Sequence, residues 1–337
     1  DLQDQVPHLL INAYYAILGL GRSALHDILP MIRDVSSIML KRIDPASNVY
    51  ICPGSGIGDG ARHVSNWYDV IEFGNMDAYV NIHVIRAVEC VYEIYQYAGD
   101  TSNAARFKAL HEKMVAAHNE IFWSEEKGMY ADWIDIQGKP RYYFYTDIDM
   151  LSIVFGVATQ RQAQVILKTM VQQEEVLIKE YNSTQESMWG TPCNLWKVEG
   201  QDCMRGCDES WPSYENGQMF IHSSGMEIAA WGAAGQPDKA FDKYKAVMLN
   251  GFSSTKLYCQ AVDWVSGKFS GNPDPLNSAI LNVWGFVYGA LGVRLSLVSG
   301  VTFTPAAPAA EGAQHCFQFL GDLTCVCIQN GTGVRCQ

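Results

Sequence analysis

Apolar residues fill the stretch from Val6 to Leu20, with Asn12 the only strongly polar residue between Leu9 and Leu20. Gly19 and Gly21 stop the run, which reads as a buried helix. Ser23 then caps a second helix, where Leu25, Ile28, Leu29, Ile32, Val35, Ile38 and Met39 recur at three- and four-residue spacing. Pro30 is placed to kink it. Asp77 to Ala98 is apolar nearly all round and predicts the longest helix, buried on two sides. Gly99 ends it, and a helix from Thr101 or Ser102 to about Phe122 follows. Tyr130, Trp133, Tyr142 and Phe144 flank Gly138-Lys139-Pro140 in the manner of a short hairpin. Further helices are predicted near 147–157, 160–173, 217–234, 237–249 and 277–291. Residues 182–213 form a loop rich in Trp, Cys and Pro, long enough to suggest a function.

One turn recurs. Ala98-Gly99-Asp100-Thr101-Ser102-Asn103-Ala104 resembles Ala234-Gly235-Gln236-Pro237-Asp238-Lys239-Ala240, and Gly156 to Ala163 is a looser copy. In each, a Gly closes an apolar helix and a polar cap opens the next. Helical hairpins with short turns at one end and long aromatic loops at the other predict a closed ring, with the site on the loop side. The expectation is an all-α fold over 1–304. A Pro/Ala linker at 305–312 then leads into a Cys-rich tail of short strands ending the chain. Nine or ten helices are counted where six hairpins need twelve, so the first hairpin is expected upstream of Asp1.

Composition narrows the partners. The 337 residues are 48% hydrophobic and carry a net charge of −12, which argues against nucleic acid or an anionic membrane. No apolar run is long enough to span a bilayer. A neutral ligand fits, and carbohydrate is the obvious one. Of ten cysteines, Cys316, Cys325, Cys327 and Cys336 crowd the tail, which is too small for its own core and is expected to be stapled by disulfides. The cysteines, with sequons at Asn182 and Asn330, predict an extracellular, N-glycosylated protein whose signal has been removed. Cys325-Val326-Cys327 and Cys203 to Cys207 lack zinc-site spacing, so neither metal nor cofactor is expected.

Candidate chemistry concentrates in Asn66-Trp67-Tyr68-Asp69-Val70-Ile71-Glu72-Phe73-Gly74-Asn75-Met76-Asp77, where acids stand beside aromatic walls. A desolvated acid protonates a glycosidic oxygen and flat rings bind a pyranose face. Glu72 reads as a loop acid and Asp77 as the cap of the following helix.

The order of motifs resembles the (α/α)6-barrel, six-hairpin glycosidases. It is closest to the cellobiose and chitobiose phosphorylases, and more distantly like the processing α-glucosidase and trehalase group. Asn66-Trp67-Tyr68-Asp69 stands where the phosphorylases have Asp-Trp-Asn-Asp. Tyr214-Glu215-Asn216-Gly217-Gln218-Met219-Phe220-Ile221-His222 resembles their Glu-Asn-Gly-Gly-Ile-Phe-Thr-His, and Tyr258-Cys259-Gln260 their Tyr-x-Gln. The resemblance implies that Asp69 is the general acid and that His222 and Ser278 are phosphate contacts. Asn66 and Tyr68 depart from the motif, and no late Glu fills the base position of the hydrolase branches.

Inverting cleavage needs a base opposite the acid at roughly 6.5–9.5 Å. Glu215 and Asp263 are the candidates, each with a structural alternative as helix-end or loop acid. Trp67, Tyr68, Trp133, Trp196, Trp211 and Tyr214 are candidate sugar platforms. Asn194, Asn216, His222 and Gln260 are candidate hydroxyl contacts. Three functions follow: a secreted inverting hydrolase of an oligo- or polysaccharide, a phosphorylase, or a catalytically silent glycan-binding or structural barrel.

Overall fold

A computed structural model describes residues 3–58, 65–184, 186–204, 206–252, 259–273 and 275–336. At residues 252, 259–260, 269–273 and 275–279 only the backbone is described. Nine α-helices lie among these residues: α1 (Gln5–Leu20), α2 (Arg22–Leu40), α3 (Ala78–Ala98), α4 (Thr101–Ile121), α5 (Thr146–Val154), α6 (Gln160–Glu180), α7 (Ile221–Ala233), α8 (Pro237–Phe252) and α9 (Pro275–Gly285). Their ends follow local chemistry. Asp77 caps α3 by accepting the Val80 N–H, and Gly99 closes it with φ 84°. Asp100 caps α4, and Thr159 with Gln162 makes a reciprocal capping box on α6.

The odd-numbered helices pack in sequence, α1 on α3, α3 on α5, α5 on α7 and α7 on α9, while α2, α4 and α8 each back the helix before them. This is the expected ring of hairpins. α7 and α9 approach each other closely. A Cβ at Gly225 would lie 2.3 Å from Leu281 O, and one at Gly285 the same distance from Gly225 O. Gly232 and Gly289 repeat the arrangement one level down, where a π-helical turn (Phe286–Ala290) continues α9.

Two expectations shift. Residues 217–220 do not begin α7. Met219–Phe220 is a strand between Thr191–Pro192 and Cys259–Val262, partners remote in sequence. The sixth helix also runs on to Glu180, seven residues past its expected end at 173. The hairpin around Gly138 forms, pairing Trp133–Ile134 with Pro140–Arg141.

The tail is a three-stranded antiparallel sheet, Gln314–Phe319, Asp322–Gln329 and Thr332–Arg335. Cys316 bonds to Cys325, directly opposite in register, and Cys327 to Cys336. Val326 and Ile328 share a small core with Leu291, Val293 and Ala307. The sheet also touches the ring, since the Gly321 N–H donates to Gly19 O at 2.8 Å at the end of α1. No helix among the described residues is long and apolar enough to cross a membrane.

Candidate functional site

Segment 65–70 ties four helix N-termini together at one end of the ring. The Gln3 N–H, just before α1, donates to Ser65 O at 2.8 Å. Asn66 Nδ2 donates to Asp77 Oδ2 of the α3 cap at 2.8 Å, and Ser65 Oγ donates to the same oxygen. The Tyr68 hydroxyl donates to Asp147 Oδ2, in the first turn of α5, at 3.1 Å. His222, the second residue of α7, holds Nε2 3.5 Å from that oxygen. Asn66 is therefore a brace, buried completely, where the related motif has an acid. The partial positive charge of the helix ends offsets the carboxylates gathered there.

The acids differ in setting. Asp69 projects from a turn with its side chain exposed. Beneath it Glu215 is fully buried and its Oε2 accepts the Val70 N–H at 3.1 Å. Burial, then the neighbouring Asp69 carboxylate, push Glu215 well above the usual carboxyl range, against the pull of the Val70 and Asp69 peptide N–H groups. Burial also raises Asp77 to about 7 and Asp4, before α1, to about 6.

The aromatic wall is half open. The Trp67 ring lies 4.1 Å from Tyr68, 5.5 Å from Phe220 and 5.1 Å from His222. Trp67, Tyr214 and His222 are partly exposed and Tyr68 is buried. Tyr214 stands 5.8 Å from Phe220 on the other side, with φ 46°. Trp67, Asp69, Tyr214 and His222 thus share one patch over a buried layer of Tyr68, Asp147 and Glu215.

Other expected site residues lie elsewhere. Trp133 is fully buried and donates its indole N–H to Gly56 O, so it offers no face to a sugar. Asn194 and Asn216 are buried braces of the long loop. Asn216 Oδ1 accepts from Asn194, the Val198 N–H and the Trp211 indole, while its Nδ2 donates to Val198 O and Cys207 O. Asn194 Oδ1 accepts the Gly217 N–H at 2.6 Å. Both amides are spent within the protein. Trp211 packs on Tyr181 and Trp264, and Trp196 on Phe144. Asp263 closes a hairpin turn, accepting from Val265, Ser266 N–H and Ser266 Oγ. Gln260 lies in the strand Cys259–Val262, and its side chain, like that of Ser278, is outside the described residues. Glu72, read as a loop acid, is buried.

Asp147 went unread in the sequence. Its signal was weak: an acidic Thr146-Asp147 opening to an apolar helix, directly after an aromatic run. A cavity of about 570 Å³ lies away from this patch. It lies at the opposite half of the inner helices, between Tyr15, Arg86, Phe155, Trp284, Tyr288 and Arg294. Among the described residues no cluster of His, Cys, Asp and Glu could hold a metal.

Comparison with known proteins bears on the fold. The family model described as trehalase matches residues 78–196. The GH78 rhamnosidase of Bacillus sp. GL1 superposes with a TM-score of 0.60 at 14% identity, over 99% of this chain and 30% of that one. A rhamnosidase from Klebsiella oxytoca, solved with rhamnose bound, gives 0.55 at 13% identity, over 85% of this chain and 47% of that one. The chain spans less than half the length of either structure. The likeness to phosphorylases rests on the motifs alone. What the chain shares with these proteins is a six-hairpin, glycosidase-like fold.

Proposed function

We propose that this chain is a glycoside hydrolase acting on an oligo- or polysaccharide by inversion, with Asp69 as proton donor. One observation carries the reading: an exposed carboxyl, Asp69, on a turn held from below by the buried Glu215, beside the half-open Trp67 ring. Burial raises the pKa of Glu215, and its Oε2 is engaged by the Val70 N–H, so its role is to fix the Asp69 turn. Asp263 is occupied in its own hairpin. Water activation falls to His222, whose partly exposed ring is backed by the buried Asp147 carboxylate. Proton transfer from Asp69 to the leaving oxygen and from water to His222 then balance. His222 faces an acid, and no Lys or Arg among the described residues is paired into this cluster. That environment favours water over phosphate as the nucleophile.

The disulfides Cys203–Cys207, Cys316–Cys325 and Cys327–Cys336 support an oxidising, extracellular location. Asn182 and Asn330 are both exposed and suited to carry N-glycans. The test is hydrolysis of a glycoside panel without phosphate, with the released anomer read by NMR. Asp69→Asn should lower kcat by roughly 10²–10⁴-fold with the fold intact. Strict dependence on phosphate would establish the phosphorylase instead, an Asp69→Asn variant as active as the parent would remove Asp69 as the proton donor, and no cleavage anywhere on the panel would leave a silent, glycan-binding barrel.

A further inference from the structure

Away from the Asp69 patch, the outer faces of α2 and α4 enclose a cleft of about 310 Å³. Arg33, Ser36, Ser37 and Leu40 line it from α2 at helical spacing with Lys41 just beyond its end, and Asn103, Arg106 and Phe107 line it from α4. Tyr95 of α3 is its floor. Arg33, Lys41 and Arg106 are exposed, and none makes an ion pair among the described residues. Three unpaired cations in one cleft are notable in a chain of net charge −12. Arg33 and Arg106 line the cleft together with Tyr95, and both pull down the pKa of its phenol, which burial raises. Asp100, at the start of α4, accepts the Asn103 N–H at 3.1 Å and Asn103 Nδ2 at 2.8 Å. It also feels Arg33, which helps to lower its pKa.

We propose that this cleft binds a sulfated oligosaccharide. Guanidinium groups match tetrahedral oxyanions by bidentate hydrogen bonds. Arg33 and Lys41, the residue that ends α2, are eight positions apart, about 12 Å at the rise of an α-helix, a spread of charge that matches an extended polyanion. The exposed Ser37 hydroxyl and the partly exposed Asn103 suit sugar hydroxyls. Nucleic acid fits less well, because Tyr95 and Phe107 are buried and leave no exposed ring for bases to stack on. The inference does not depend on the role of Asp69.

The test is anisotropy with a fluorescent heparin hexasaccharide, titrated at low and at physiological salt. Arg33→Gln and Arg106→Gln should each weaken binding about tenfold and reduce the salt slope by about one. Lys41→Gln should do so to a lesser degree. All three positions are exposed, so unchanged melting curves are expected. Equal binding by the variants, or by the fully desulfated hexasaccharide, would overturn the site. Competition by an oligothymidylate as strong as by the unlabelled hexasaccharide would overturn the sugar assignment. Displacement by inorganic sulfate at matched sulfate concentration would overturn the extended ligand.

Discussion

The carboxylate of Glu215 receives the peptide N–H of Val70 at 3.1 Å, so the turn that presents Asp69 hangs from an acid far away in sequence. The folded protein raises the pKa of Glu215 above its unfolded value. Its contribution is therefore fully present below the ordinary Glu value of 4.5 and is lost as pH rises towards the folded one. Glu215→Gln keeps an acceptor for Val70 and removes the titration. Urea unfolding between pH 5 and pH 8 should show the variant gaining on the parent by up to about 1.4 kcal/mol per pH unit. A constant difference across that range would mean that Glu215 titrates alike in both states.

Asp147 and His222 are predicted to act as one unit. His222→Gln and Asp147→Asn should each lower kcat, and the double variant should lose little more than the worse single one. Losses that multiply in the double variant would count against the pair.

Asn216 is the knot of the long loop. Asn216→Ala leaves the Val198 N–H and the Trp211 indole N–H without their acceptor. Each buried orphan costs about 1–3 kcal/mol, so a loss of roughly 2–5 kcal/mol is expected from denaturant midpoints. Limited proteolysis should cut first within 182–213. If Asn216 instead binds sugar, KM would rise with the midpoint unchanged.

Lys243 ties three helices. Its Nζ lies 2.8 Å from Glu227 Oε2 on α7. Glu174 on α6 is also within its field, raised to about 7 by burial despite Lys243. Lys243→Met removes the cation that faces two buried carboxyls, leaving Glu227 only its Thr191 and Trp231 hydrogen bonds, and should cost about 3–5 kcal/mol near neutral pH. Lowering the pH towards 5 should recover part of that, because Glu174 then takes up a proton. Equal losses at pH 5 and pH 8 would show that the charge is not what matters.

The helices were readable because their signals are local. Apolar spacing, the Asp77 cap, the Thr159–Gln162 box and the Gly99 stop all lie within a turn of what they control. The strand Met219–Phe220 was not, since it is made by pairing with 191–192 and 261–262. At the candidate site, the density of acids and rings around Asp69 drew attention from the chain alone. Asp147 drew none, because its partners Tyr68 and His222 are distant in sequence. Trp133, Asn194 and Asn216 looked like ligand contacts for a physical reason. A long loop folded into a protein must satisfy its own buried polar groups, and the side chains that do so are of the same types that bind sugars.

The glycine seam between α7 and α9 sets a boundary for anyone cutting and splicing this scaffold. Both helices surrender side chains at the same levels, Gly225 against Gly285 and Gly232 against Gly289. Neither can be exchanged for a homologous segment bearing so much as a methyl group there. Residues 221–290 must therefore travel as one cassette, and chimaeras with a junction inside that span should accumulate as insoluble protein.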